Sequence, residues 1–416
     1  MRKLSLAKIA LALLGLAILA GLLYQLPPIN DRLSWRLDFA FAYLRGIVKP
    51  VGELPTALPP PQVTTVSRTE PNATPTSAPT PTLTPGPTPT PSPSPTPIPG
   101  SVSLKPPLWE KQDANNCGPA TLALYLRYYG WEGDQHTIAE MLKPQRDDRN
   151  VNVEELIYFA KNRAGWLNTE FRVGGDLETL KKLLAAGLPV MIEESFQLDT
   201  VYWPNDDQWA AHYNLITGYD DASQTFTAQD TYLGPDRRAP YEKLQKDWQS
   251  FNYVYILIYP PEMEETIKNI LGPQWDVDYN RQHALELAQR ETEQNPDDPY
   301  AWFNLGTNLV YFERYDEAAT AYDQARRIGL PQRFLRYQFG PFFAYFHARR
   351  MDDLKALTDY ALQITPNSEE ALLWQGWMFY RNGDTKAAMA NFQQALAENP
   401  FYQDARYAID FISSNQ

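Results

Sequence analysis

The chain contains a single cysteine, Cys117, within Gln112-Asp113-Ala114-Asn115-Asn116-Cys117-Gly118-Pro119-Ala120. A thiol attacks a carbonyl as its thiolate, and the positive end of a helix dipole lowers its pKa. Gly118-Pro119-Ala120 opens an apolar helical stretch directly after it. Gln112, upstream of the thiol, is placed to donate a hydrogen bond to the oxyanion formed when a thiolate attacks a carbonyl. On position alone, a solitary cysteine reads more simply as a small buried hydrophobe. The other members of the constellation overturn that reading. An imidazole that serves a thiol needs a carboxylate or amide to hold its tautomer. His212 starts one strand and Asp230 ends the next, so the chain supplies thiol, imidazole and carboxylate in that order.

The elements that must position these groups are legible in outline. Helices are expected from Ala120 to Tyr129, from His136, from Val153 to Arg163 and from Leu177 to Ala186, the last stopped by Gly187-Leu188-Pro189. The pattern then changes to strands at Val190–Glu193, His212–Tyr219, Thr225–Asp230 and Tyr253–Tyr259. His212 and Asp230 lie at about the same distance from the Asp220-Asp221 turn, which would let their side chains meet on one face. A helical first half followed by an antiparallel sheet is an α+β pattern. Trp203 and Trp209, with Tyr202, stand just before His212 and are candidates for lining a substrate groove, with core packing as the competing role.

Residues about 102 to 262 resemble the C39-like family of papain-fold cysteine peptidases. The resemblance rests on Gln112-x4-Cys117-Gly118-Pro119-Ala120, on His212-x5-Gly218-Tyr219-Asp220, on Asp230 with Gly234 after it, and on the terminal strand Tyr255–Pro260. It implies a papain-like α+β fold with Cys117 as nucleophile, His212 as general base and acid, Asp230 as its orienter and Gln112 in the oxyanion hole. The family commonly places proline after the aspartate, whereas Thr231 follows here, which leaves Asp220 as a weaker substitute for Asp230. Members that cut leader peptides after double glycine are fused to exporters. This chain has no nucleotide-binding motif, so that substrate does not carry over.

Ahead of this domain, residues 9–26 are almost uninterrupted apolar residues behind Arg2, Lys3 and Lys8. Residues 1–29 therefore read as a signal-anchor or transmembrane helix with the N-terminus in the cytoplasm and the bulk of the chain extracytoplasmic. A cleaved signal peptide is the competing reading. Residues 30–53 read as an amphipathic juxtamembrane helix, with Leu33, Leu37, Phe41, Leu44 and Val48 recurring on one side. Residues 54–100 turn to Pro, Thr and Ser. They are expected to form a disordered, polyproline-like linker able to hold the next domain on the order of 100 Å away.

Behind the central domain, residues 276–416 are helical and quasi-periodic. Pro296, Pro331, Pro366 and Pro400 recur at intervals of 35, 35 and 34, and Trp302-x2-Leu305-Gly306 matches Trp374-Gln375-Gly376, with Gly340 between them. This pattern is similar to tetratricopeptide repeats and implies an all-α solenoid that binds a peptide or protein partner. The middle copy is degenerate, with Met351-Asp352-Asp353-Leu354 lacking the usual alanine.

A net charge of −13 argues against sequence-independent nucleic-acid binding. One cysteine and four scattered histidines exclude a disulfide framework and give no metal-ligand spacing, so no metal or cofactor is expected. The expected function is a membrane-anchored, extracytoplasmic thiol hydrolase of peptide bonds. The alternatives are an inactive papain-like domain serving with the repeats as a binding scaffold, or an amidase or acyltransferase acting on cell-wall peptides.

Overall fold

The structure, a computed structural model, describes residues 14–16, 18–19, 21–24, 27–59, 98–144 and 150–414. Most of the expected membrane segment and linker residues 60–97 lie outside the described residues. Among the described residues no helix is long and apolar enough to cross a membrane. Helix α1 (Pro27–Val48) overlaps residues 30–53, where an amphipathic helix is expected, and ends five residues earlier.

The central domain is a helical layer packed on one antiparallel sheet. Its helices are α2 (Cys117–Tyr128), α3 (Gln135–Leu142), α4 (Val153–Arg163), α5 (Leu177–Ala185) and α6 (Tyr241–Gln249). Its strands are β1 (Ser101–Ser103), β2 (Asn168–Arg172), β3 (Val190–Gln197), β4 (Trp209–Asp220), β5 (Thr225–Asp230), β6 (Gly234–Pro240) and β7 (Tyr255–Tyr259). The sheet order is β2-β7-β3-β4-β5-β6, and β1 pairs with the far end of β4. β4 is central, and its long apolar run fits burial on both faces.

One face of the sheet packs on α2 through Leu122, Tyr125 and Leu126 against Tyr213, Leu215 and Ile256. The other face buries Ile192, Ile216, Tyr219 and Phe226 against α5 and α6. Local signals fix the helix starts. α4 begins with a capping box between Asn152 and Glu155, and Asp134 caps α3 by accepting from His136 N and Thr137 N.

Helices α7 (Glu264–Leu271) and α8 (Val277–Gln294) lead into the repeats. The repeats are the pairs α9 (Pro299–Tyr311) with α10 (Tyr315–Ile328), α11 (Gly340–His347) with α12 (Met351–Ile364), and α13 (Glu369–Arg381) with α14 (Thr385–Glu398), closed by α15 (Gln403–Ser414). Gly306 and Gly376 lie against the rings of Tyr322 and Phe392, so the close helix approach there leaves no room for a Cβ. The middle pair departs for a visible reason. Its first helix is shortened, and the segment ahead of it, Pro331 to Arg336, turns toward the central domain. Asp353, in the stretch without alanine, is buried between Arg326 and Arg350.

Two boundaries shift. The central domain and the repeats share one continuous apolar core, which runs from Leu122 to Met378. Residues 50–58, the first of them past α1 and several assigned to the linker, lie along the repeats, with Leu54 only 5% exposed.

Candidate active site

Cys117 is the first residue of α2, half-buried, with Asn116 as N-cap and no side chain closing the helix end. Asn115 just before it is left-handed, at φ 56°, a conformation asparagine tolerates, and this turns the chain sharply into the helix. The first turn is tied to β4 beside the histidine. Thr121 Oγ1 donates to Tyr213 O at 3.0 Å, and Gly118 rests on the Tyr213 ring.

His212 is 3% exposed, and its Nε2 lies 3.0 Å from Asp230 Oδ1. The imidazole also faces the Cys117 thiol closely enough that each group shifts the pKa of the other. With Nε2 engaged by the carboxylate, Nδ1 is the atom left for sulfur. Asp230 Oδ1 is itself fixed by Tyr232 N at 2.7 Å and Leu233 N at 2.8 Å.

A bulge decides which face of the hairpin these groups occupy. From the turn, Asp220 pairs with Thr225 and Gly218 with Thr227; after the irregularity at Thr217, Ile216 pairs with Ala228 and Leu215 with Gln229. Continuing that register sets Asp230 opposite Asn214, and His212, two residues further, shares its face. In a regular ladder Asp230 would oppose Leu215, and His212 would point to the other side of the sheet. The extra residue is held by its own bonds, since Thr217 O accepts from Leu104 N at 2.9 Å and Thr217 Oγ1 from Gln229 Nε2 at 3.0 Å. Asp220 sits at the opposite end of β4 and bonds Ser223 and Ala222, so it is no substitute for Asp230.

Gln112 is brought to the same place by Thr231. Gln112 N donates to Thr231 O at 2.9 Å, and Thr231 Oγ1 donates to Gln112 Oε1 at 2.9 Å. With its amide oxygen occupied, the Gln112 NH2 is the end free to donate. The residue that departs from the family pattern thus orients the amide. Gln135 is a further organiser that carries no motif of its own. Buried on α3, it accepts from Asp113 N and Asn116 Nδ2 and donates to Lys111 O, each at 2.8 Å, so one amide braces the loop from 111 to 116.

The electrostatics follow from these contacts. Burial alone would raise the Cys117 pKa, but the hydrogen bond and charge of His212, the Tyr213 backbone and Lys143 together bring it below the ordinary thiol value. Burial likewise opposes charge on His212, yet the bonds to Asp230 and Cys117 and their charges raise it to about 10. Asp230 is held below the usual carboxylate range, its burial outweighed by His212 and the two backbone donors. Such a trio favours a thiolate beside an imidazolium. The carboxyl of Glu193 on β3 is pushed well up by burial, and the charge of Cys117 adds to the rise.

Trp203 and Trp209 do not form a groove beside Cys117; Trp203 and Tyr202 line a pocket between the end of α1 and the repeats, with Gly46 and Arg336, that contains none of the catalytic candidates. The two tryptophans are 4% and 8% exposed and lie in the junction with the repeats. Trp209 packs on Phe251, Phe334 and Tyr337, and Trp203 Nε1 donates to Gln332. An aromatic ring that does reach the site is Phe196, which lies 5.0 Å from the His212 imidazole and 5.5 Å from Tyr232. Its place on β3, paired with Ala210, is what the sequence pattern did not convey. Among the described residues, no group of three or more His, Cys, Asp or Glu side chains is placed to hold a metal ion.

Comparison with known proteins gives matches to two parts of the chain. Residues 104–256 match the Peptidase_C39 like family, and residues 370–401 match a tetratricopeptide repeat. A proposed C39-like peptidase from Bacillus anthracis is 20% identical, with a TM-score of 0.31 over 38% of this chain and 96% of its own. Xylellain, a cysteine protease from Xylella fastidiosa, is 14% identical, with a TM-score of 0.29 over 39% of this chain and 86% of its own. A thermophilic tetratricopeptide-repeat protein from Thermus thermophilus is 21% identical, with a TM-score of 0.27 over 33% of this chain and 74% of its own. No curated protein matches the chain.

Proposed function

We propose that the chain is a cysteine peptidase that cleaves peptide bonds at Cys117, with its tetratricopeptide region serving protein or peptide binding. The reading rests above all on His212, whose Nε2 meets Asp230 at 3.0 Å and whose charged form is favoured by both Asp230 and the Cys117 thiol. The match of residues 104–256 to the Peptidase_C39 like family supports it.

The Cys117 thiolate attacks the peptide carbonyl carbon, and the carbonyl π electrons move onto oxygen. Gln112 NH2 and the Cys117 backbone N–H stabilise that oxyanion. The tetrahedral species collapses, the C–N bond breaks, and His212 gives its proton to the leaving amine. His212, now neutral, takes a proton from water as the water attacks the thioester. The carboxylic acid leaves, and the thiolate–imidazolium pair is restored. Asp230 keeps the imidazole oriented throughout and favours its charged form. Residues 9–26 would hold the protein in a membrane with this domain on the extracytoplasmic side, as their apolar run and basic flank suggest.

The test is product analysis with a peptide library alongside cell-wall fragments, using the parental chain and Cys117→Ala. Cleavage of peptides by the parental chain and none by the variant is the expected result. Equal cleavage by both would remove Cys117 from the chemistry. Turnover of cell-wall fragments alone would reassign the enzyme to amide hydrolysis on those substrates.

A further inference from the structure

The stem of this protein is bound by its own repeats. Past α1 the chain runs through Pro50-Val51-Gly52-Glu53-Leu54-Pro55-Thr56-Ala57-Leu58 along α10 and α12, and side chains of the repeats read its backbone. Gln363 Nε2 donates to Pro50 O and the Tyr360 hydroxyl to Gly52 O, each at 3.0 Å. Arg326 spans two peptide units, donating from Nε to Pro55 O at 2.8 Å and from Nη2 to Thr56 O at 3.0 Å. Asp353 Oδ1 accepts from Leu58 N at 3.1 Å, and Arg350 Nη2 donates to Leu58 O at 3.4 Å.

These reading groups are also tied to one another by bonds within the repeats. Arg326 is held by Asp353 at 2.9 Å and by the Tyr345 hydroxyl at 2.8 Å. Arg350 is held by Asp323 at 2.6 Å and Asp353 at 2.7 Å, and Tyr345 donates to Asp323 at 2.8 Å. Two arginines and two aspartates balance in charge, and the side chains of all four are buried. Arg326 keeps Nη1 for the cluster and turns Nε and Nη2 to the carbonyls of Pro55 and Thr56, while Arg350 Nη2 serves both Asp353 and Leu58 O. A site built this way recognises extended backbone, with one apolar anchor, Leu54, setting its register. Pro55 has no N–H to satisfy, which suits a position where only its carbonyl is met.

We propose that this face of α10 and α12 is a peptide-binding site whose resident ligand is the chain's own residues 50–58, so that the repeats clamp the catalytic body to its stem. Two further observations fit. The end of α1 is seated on the same body, with Gly46 so close to Trp203 that a Cβ would clash. The chain re-enters the fold at Pro99 and Gly100, whose carbonyls accept from the Tyr219 hydroxyl at 2.5 Å and Asp221 N at 2.9 Å. Residues 60–97 therefore join two points on one body. The docked stem sets the distance from residues 50–58 to the active site, while residues 60–97 of the expected spacer lie outside the described residues.

The experiment is a nick. A site-specific protease sequence is inserted between residues 70 and 90 of the full chain, which is purified in non-ionic detergent, cut, and passed over a sizing column at falling concentration. The expected result is that the N-terminal piece co-elutes with the body. Leu54→Asp should weaken its retention by at least about tenfold, the effect of losing one buried leucine. A synthetic peptide of residues 49–59 in excess should speed release of the parental piece, and the same peptide carrying Leu54→Asp should not. An unchanged rate of Cys117 alkylation in the Leu54→Asp chain would show that the body is still folded. Equal retention of both pieces would overturn the proposal by assigning the grip to α1. Equal loss of both would show that the strap has no affinity of its own.

Discussion

Asp230→Asn isolates the charge that favours the imidazolium while sparing the geometry. Asp230 Oδ1 faces His212 Nε2 at 3.0 Å and accepts from Tyr232 N at 2.7 Å and Leu233 N at 2.8 Å, and an asparagine oxygen can face the same three donors. What is lost is the difference between a hydrogen bond to a charged group and one to a neutral group, about 1 to 1.5 kcal/mol. One pKa unit corresponds to about 1.4 kcal/mol, so the imidazolium should titrate about one unit lower. The sign follows from the direction of the shift. His212 is raised to about 10 because Asp230 and Cys117 favour its charged form, so removing the charge of Asp230 lowers it.

Cys117 is the sole cysteine, so its alkylation can be read without background. Iodoacetate is the reagent of choice. It needs the thiolate, and as an anion it is drawn in by the neighbouring imidazolium, so its rate should fall on the alkaline side as His212 loses its proton. In the parental chain that fall should centre near pH 10, and in Asp230→Asn near pH 9, about one unit lower. An alkaline limb that superimposes on the parental one would refute the argument that Asp230 keeps His212 charged.

Gln112→Ala should reduce peptide turnover about 10²- to 10³-fold while leaving the alkylation profile in place, because the amide serves the oxyanion rather than the thiolate; a changed profile would assign Gln112 a different role. Deleting Thr217, the unpaired residue of the bulge, should leave Ile216 opposite Ala228 and His212 on the face of Asp230, so alkylation near neutral pH should persist; a fall to the rate of an ordinary thiol in folded protein would contradict the register argument. Arg333→Leu should cost about 3 to 5 kcal/mol in chemical unfolding, because Asp206, enclosed with it, loses its partner. Pairing that change with Asp206→Leu should return much of the loss. Gly376→Ala should cost about 1 to 3 kcal/mol, read as a lower melting temperature, since its Cβ would enter the ring of Phe392.

The site residues were legible because their chemistry is concentrated in few side chains. A sole cysteine before an apolar helix, a histidine opening one strand and an aspartate closing the next leave little choice of partners. The count from the turn, however, does not decide the face. That depends on a single extra residue, Thr217, whose sequence looks like any other part of the strand. Thr231 shows a related limit, since its hydroxyl takes over a task only visible once Gln112 is folded beside it. The missed elements are those with weak periodicity. β6 reads Gly-Pro-Asp-Arg-Arg-Ala-Pro, an exposed edge strand with charges and prolines. α6 buries only Tyr241, Leu244 and Trp248 among charged residues. The tryptophans misled because aromatic side chains serve cores and clefts equally well, and the element that covers them lies more than a hundred residues away.

That covering element explains the weak middle repeat. Pro331 to Arg336 occupies the place where a regular first helix would begin, and it grips the loop between β3 and β4. Gln332 Nε2 bonds Asn205 O at 3.0 Å, and Gln332 N donates to Asp207 at 2.7 Å. Arg333 meets Asp206 with both terminal nitrogens, donates to Trp209 O at 3.1 Å, and lies 4.2 Å from the Trp203 ring. Trp209 is three residues before His212 on β4. The loop so held also contains Asp199, which accepts from the Tyr232 hydroxyl beside Asp230. Sequence regularity in the repeat therefore gives way where it contacts the central domain. A repeat that only displayed a binding face would make no such contact. The repeats form part of the wall against which the site is built, and a partner that shifted them would act on the strand carrying His212.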